Sequence, residues 1–133
     1  MRKPRVYLAA PYTDPNPAWR EFRVMATNLA ASALMRAGFV VFSPISHSHP
    51  IAECMNGHLD LAFWLEQDTP FLQACDATII LTLPGWQNSK GIAAELGLSN
   101  VMAHISLEEV YSEDFEGLKR ILGTFEVPDA DIQ

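Results

Sequence analysis

Short apolar runs alternate along the chain with longer stretches of helical periodicity. Arg5-Val-Tyr-Leu-Ala-Ala10 predicts a strand, stopped by Pro11 and followed by the turn-rich loop Tyr12-Thr-Asp-Pro-Asn-Pro17. From Ala18 to Ala37, Phe22, Met25, Leu29, Ala33 and Leu34 recur at helical spacing as the inward face, and Gly38 stands where a helix-ending glycine belongs. Phe39-Val-Val-Phe42 predicts a second strand ended by Ser43-Pro44, which leaves Ile45 to Asn56 as a long loop carrying His47, His49 and Cys54. Leu59 to Ala74 reads as a helix with Leu61, Trp64, Leu65, Phe71 and Leu72 inward, kinked or split at Pro70. Ala77 to Leu83 is a β-branched apolar run between Asp76 and Pro84, the pattern of a buried parallel strand. After the Pro84-Gly85 turn, Ser89 caps a helix expected from Lys90 to about Met102. Ile105-Ser106-Leu107 is a short fourth strand, Asp114 to Leu122 a closing helix, and Glu126 to Gln133 an acidic tail that frays.

Strands alternating with helices predict an α/β domain over residues 1–125, a doubly wound open parallel sheet in the order 2-1-3-4 with room for a fifth strand. That order sets the first and third strands side by side. The loops after them, and so Tyr7, Tyr12 and Ser89 to Glu95, converge on one crevice at the carboxyl edge of the sheet.

Composition narrows the function. The 133 residues, 49% hydrophobic and 19% charged, suit one globular domain. A net charge of −7 argues against gripping a nucleic-acid polymer and favours a small ligand. Two cysteines, Cys54 and Cys75, lack metal or redox spacing and read as core residues in a reducing compartment. The apolar run Val6 to Ala10 before Pro11 is too short for a signal segment or a membrane span, so the expected location is the cytoplasm.

Within the crevice, Glu95 stands near the start of its helix, where the dipole favours the charged carboxylate that a nucleophile requires; a dipole-matched surface residue fits the same position. Asp68 lies just before Pro70 and Tyr7 inside the first strand, positions open to structural roles as well. Gly91 lets backbone approach a ligand closely. Tyr12 and Trp86 can stack on a flat ring or simply pack, and Asn88 belongs to the same loop as a candidate contact. His47, His49, Cys54 and His58 lie within twelve residues but match no familiar zinc spacing; His47 and His49 are placed at the crevice or in hydrogen bonds within their loop. The reading therefore assigns no metal and no cofactor.

Tyr7-Leu-Ala-Ala-Pro-Tyr12, Glu66-Gln-Asp68, Ala74-Cys-Asp-Ala77, and Ser89-Lys-Gly91 leading to Glu95 together resemble the nucleoside 2-deoxyribosyltransferase-like family, including its nucleoside 5′-monophosphate N-glycosidase branch and related small bacterial proteins. The resemblance spans about residues 5 to 107. It implies a flavodoxin- or Rossmann-like fold and a small nucleoside or nucleotide substrate. It also implies a homo-oligomer that completes its site across a subunit contact, for which Ser106 is one candidate. By the same resemblance, Glu95 attacks C1′ of the sugar, Asp68 assists protonation of the departing base, and Tyr7 positions Glu95. Such chemistry needs two carboxyl groups in different environments, because the bond breaks through an oxocarbenium-like state. Ser89 stands where the transferases acting on free nucleosides have an Asp, which tilts the expectation toward a 5′-phosphate that a carboxylate would repel. Pro11 occupies the place of a phosphate-binding Ser in the glycosidase branch, with Arg20, Arg23, Lys90, His47 or His49 as substitutes. The alternatives carried beside this enzyme are a non-catalytic nucleotide-binding or sensing module and a protein whose acidic surface engages a partner.

Overall fold

In the computed structural model, which describes residues 2–55, 59–98 and 102–123, the sheet is centred on two short strands that have no polar face. β1 (Arg5–Ala9) and β3 (Ala77–Leu81) are buried on both sides, which only a central position between two helical layers permits. β2 (Val40–Phe42) pairs with β1 and β4 (Met102–Ile105) with β3, all in parallel, in the predicted order β2-β1-β3-β4. The protein is thus a doubly wound α/β fold.

Alternation along β1 assigns side chains to the two layers. Val6 and Leu8 join the core under α1 (Pro17–Arg36), α5 (Leu107–Ser112) and α6 (Glu116–Gly123). Tyr7 and Ala9 point the opposite way, into a cluster with Leu72 of α3 (Leu61–Gln73) and Ile92 of α4 (Lys90–Leu96). Tyr7 is consequently on the same side of the sheet as the two helices that carry Asp68 and Glu95.

Several expected elements take other forms. Residues 45–56 were expected as a loop, yet α2 spans Pro44–Glu53: Pro44 stands in its first turn, where a missing N–H costs nothing, and Pro50 is accommodated inside it. α3 continues through Pro70 as one helix, with Leu72 buried but Leu61 and Phe71 exposed. α4 ends at Leu96, and Met102 opens β4 instead of closing that helix. The fourth strand ends at Ile105, and Leu107 starts α5, capped by Ser106 in a reciprocal Ser-Glu109 capping box, so Ser106 and Leu107 belong to the helix that follows β4. The expected closing helix is α6, preceded by α5, which was not expected, and the two are separated where Glu113 takes a left-handed conformation at φ 53°.

On α1 the inward face is built from small residues. Ala26, Ala30, Ala31, Ala33 and Leu34 are buried, while Phe22, Met25 and Leu29 are exposed, Met25 by 65%. The alanines share one buried cluster with Val6 and Leu8 of β1. Gly38, at φ 103°, ends α1 as predicted. Cys54 is exposed and Cys75 half-buried, so neither is a fully buried core residue, and both are free thiols. The acidic tail and His58 lie outside the described residues. Among the described residues no helix is long and apolar enough to cross a membrane.

Candidate active site

The carboxyl ends of β1 and β3 lead into two loops that Arg23 fastens together. Its guanidinium is buried; Nη1 donates to the Thr13 carbonyl at 2.8 Å and Nη2 to the Pro84 carbonyl at 3.1 Å, with Asp14 at 3.9 Å. Gly85 makes room for this clamp. It sits at φ 91°, a conformation that favours glycine, and a Cβ there would lie 2.9 Å from Nη2 and displace the clamp. Arg23, expected among substitutes for phosphate binding, is thereby committed to positioning the two loops. Arg20 likewise donates to the Asp14 carbonyl at 3.1 Å.

Tyr7, Asp68 and Glu95 come from three elements, and Asp68 acts on the proton affinity of the other two. The Tyr7 hydroxyl is buried and no acceptor among the described residues aligns fully with it, but it is close enough to Glu95 for each to alter the other's proton affinity. Burial raises the Tyr7 phenol far above its ordinary value, and the Glu95 and Asp68 carboxylates add to the rise. Glu95 is pushed up from 4.5 to about 7, mainly by burial; Tyr7 opposes the rise and Asp68 adds to it. Asp68 is also raised by burial, with His47 acting in the opposite direction.

The expectation that the helix dipole keeps Glu95 ionised fails for a geometric reason. α4 has seven residues, and Glu95 is the sixth, next to the carbonyl end. Desolvation is therefore not offset by the amino-terminal amides. Two carboxyl groups with raised proton affinity share one region, an arrangement that suits acid–base or nucleophilic chemistry.

The surrounding candidates divide into those facing this region and those committed elsewhere. A Cβ on Gly91 would lie 3.8 Å from Ser89 Oγ and 4.0 Å from Glu95 Oε1, so the three residues lie side by side. Ser89 caps α4, accepting from the Ile92 amide at 3.2 Å. His47 and His49 were expected together in a loop; two residues apart on a helix, they face different ways. His47 is near enough to Asp68 to oppose the rise in its proton affinity, and its ring is 5.9 Å from Phe42. His49 Nδ1 instead meets the Tyr12 hydroxyl at 2.7 Å. Trp86 packs against His104 at 5.0 Å, and Asn88 is exposed at the end of the same single turn. Pro11 is buried. The sequence reading missed Phe42, whose ring stacks on Phe71 at 4.6 Å and lies 5.8 Å from Tyr7, joining β2 to the wall of the site. The signal was present as an aromatic at the carboxyl end of a strand.

A cavity of about 250 Å³ opens at the other end of β3, between Leu72, Cys75, Asp76 and Leu98. Its carboxylate is already satisfied: Asp76 accepts two hydrogen bonds from Arg2 at 3.0 Å and one from the Arg5 amide at 2.8 Å. The pair at Asp68 and Glu95 is the better chemical candidate.

The family described as "Domain of unknown function (DUF1937)" matches residues 4–109, and the chain belongs to that family. The matched region contains β1 to β4 and every site residue named above. Comparison with curated proteins gives no match.

Proposed function

We propose that the protein cleaves the N-glycosidic bond of a nucleoside or nucleoside 5′-monophosphate, as expected from its resemblance to the nucleoside 2-deoxyribosyltransferase-like family. The observation that carries this reading is that Tyr7 and the two helices bearing Asp68 and Glu95 lie on one side of the sheet, with Asp68 raising the proton affinity of both Glu95 and Tyr7. Ionised Glu95 attacks C1′ as the bond from C1′ to the base nitrogen breaks; the bonding pair leaves with the base, and Asp68 supplies its proton. Water then hydrolyses the glycosyl ester and returns the Glu95 carboxylate, or a second base takes the sugar in its place.

Ser89 supports a 5′-phosphate preference, since a carboxylate at that position would repel the phosphate. Incubating the protein with matched nucleotides and nucleosides, followed by chromatography of liberated base, is expected to show release preferentially from the nucleotide. Equal or reversed preference removes the phosphate assignment, and release from neither class removes the enzymatic reading. One observation favours a second reading, a nucleotide-binding module: a neutral Glu95 donates a hydrogen bond and does not attack carbon. That reading retains nucleotide affinity without base release.

Location in the cytoplasm and self-association belong to the same proposal. Two unpaired cysteines support the first. Trp19, Phe22, Met25 and Leu29 give α1 an exposed apolar face, which supports pairing with a second copy. Light scattering is expected to return at least a dimer mass; a monomer mass at high micromolar concentration contradicts it.

A further inference from the structure

We propose that Glu21, His49 and Glu53 form a binding site for one divalent first-row transition-metal ion, separate from the Asp68–Glu95 pair. Glu21 lies on α1; His49 and Glu53 are one turn apart on α2, so they project from the same helix face. One nitrogen and two carboxylate oxygens from these residues all lie within 4.8 Å of one another, a grouping the linear spacing of the histidines did not reveal. His49 Nε2 is 3.0 Å from Glu53 Oε1 and 3.6 Å from Glu21 Oε1. Ligand bonds of about 2.0–2.1 Å in a tetrahedron give ligand-to-ligand edges of about 3.3 Å, so these two separations already bracket the required edge.

The imidazole is prepared for this role from behind. The His49 side chain is 15% exposed, and its Nδ1 meets the Tyr12 hydroxyl at 2.7 Å. With the proton on Nδ1 donated to Tyr12, Nε2 keeps its lone pair and is aimed at the two carboxylates, the outer-shell arrangement common to metal-bound histidines. The glutamates are the mobile members, with side chains 68% and 64% exposed, so closing around an ion requires only surface rotamer changes. One imidazole nitrogen with two carboxylate oxygens suits zinc, manganese or nickel better than a thiolate-seeking ion. Three protein ligands leave a position for water. Such an ion would tie α1 to α2 and, through Tyr12, to the loop after β1.

The competing occupant is a proton: an imidazolium held between two carboxylates would need no metal. Untagged protein, stripped with a chelator and titrated calorimetrically with Zn²⁺, separates the two. One saturable equivalent and a rise of several degrees in melting temperature are expected. Glu21→Gln and Glu53→Gln, which keep side-chain size, are each expected to weaken Zn²⁺ binding at least tenfold, and Tyr12→Phe about tenfold through the lost outer-shell contact. Glu108→Gln, on the exposed surface of α5, is the control expected to change nothing. Absence of saturable Zn²⁺ binding overturns the proposal, as does binding that Glu21→Gln and Glu53→Gln leave unchanged. Neither outcome bears on base release, so this site and the N-glycosidic reading fail separately.

Discussion

Glu95→Gln is expected to lower base release from the preferred nucleotide by about a thousandfold or more while leaving the fold intact. Glutamine keeps the shape of a protonated glutamic acid, the state that burial already favours at Glu95, so the surroundings of Tyr7 and Ile92 need not rearrange. What is lost is the negative oxygen that must reach C1′. In the unaltered protein the same group makes the rate climb with pH through about 7, as Glu95 loses its proton. Chromatographic assay of both proteins across pH checks this. An unaltered rate in Glu95→Gln would remove Glu95 from the chemistry.

The same substitution is expected to stabilise the protein increasingly as pH rises above 4.5, reaching its full effect above neutral pH. Glu95 has its folded pKa raised from 4.5 to about 7, so between those values the native state holds a proton that the unfolded chain has released. Stability therefore falls as pH rises through that window, by on the order of 3 kcal/mol when complete. Glutamine carries no such penalty. At pH 8, Glu95→Gln should need more denaturant to unfold, with a gain of on the order of 3 kcal/mol that disappears near pH 4, where the glutamic acid is itself neutral. Denaturant titrations at the two pH values measure this. A substitution that is neutral or destabilising at pH 8 would mean that Glu95 is better solvated than its burial implies. An activity-destroying change that strengthens the fold is the behaviour of a group held for function against its own solvation preference.

Much of this arrangement was legible because period-two and continuous apolar runs identify central strands, and their order follows from crossover rules. β1, β3 and the order 2-1-3-4 came from these arguments, and the sheet edge then brought Tyr7 near Glu95. The misreadings have separate physical sources. Pro44 was taken as a terminator when proline is equally suited to a first helical turn, and that hid α2 together with the divergence of His47 from His49. Of the residues assigned to the inner face of α1, Ala33 and Leu34 are buried, whereas Phe22, Met25 and Leu29 are exposed and Ala26, Ala30 and Ala31 take the inner positions. Glu95 was credited with a dipole that a seven-residue helix does not offer at its far end. The Ser106 capping box was present in the sequence and overlooked. The Glu21–His49–Glu53 grouping joins two helices, and no linear spacing within one segment encodes it.

The central claim is that Glu95 forms a covalent bond to the sugar carbon, and it can be read directly by mass. Nucleoside 5′-monophosphates and nucleosides bearing fluorine at C2′ should form the glycosyl ester and lose it slowly, since the electron-withdrawing substituent destabilises the oxocarbenium-like state. After acid quenching and proteolysis, the account predicts one added sugar or sugar phosphate on the peptide containing Glu95, with an equivalent of free base. Base release with the label on another residue, or no label and no base across the whole series, would contradict it.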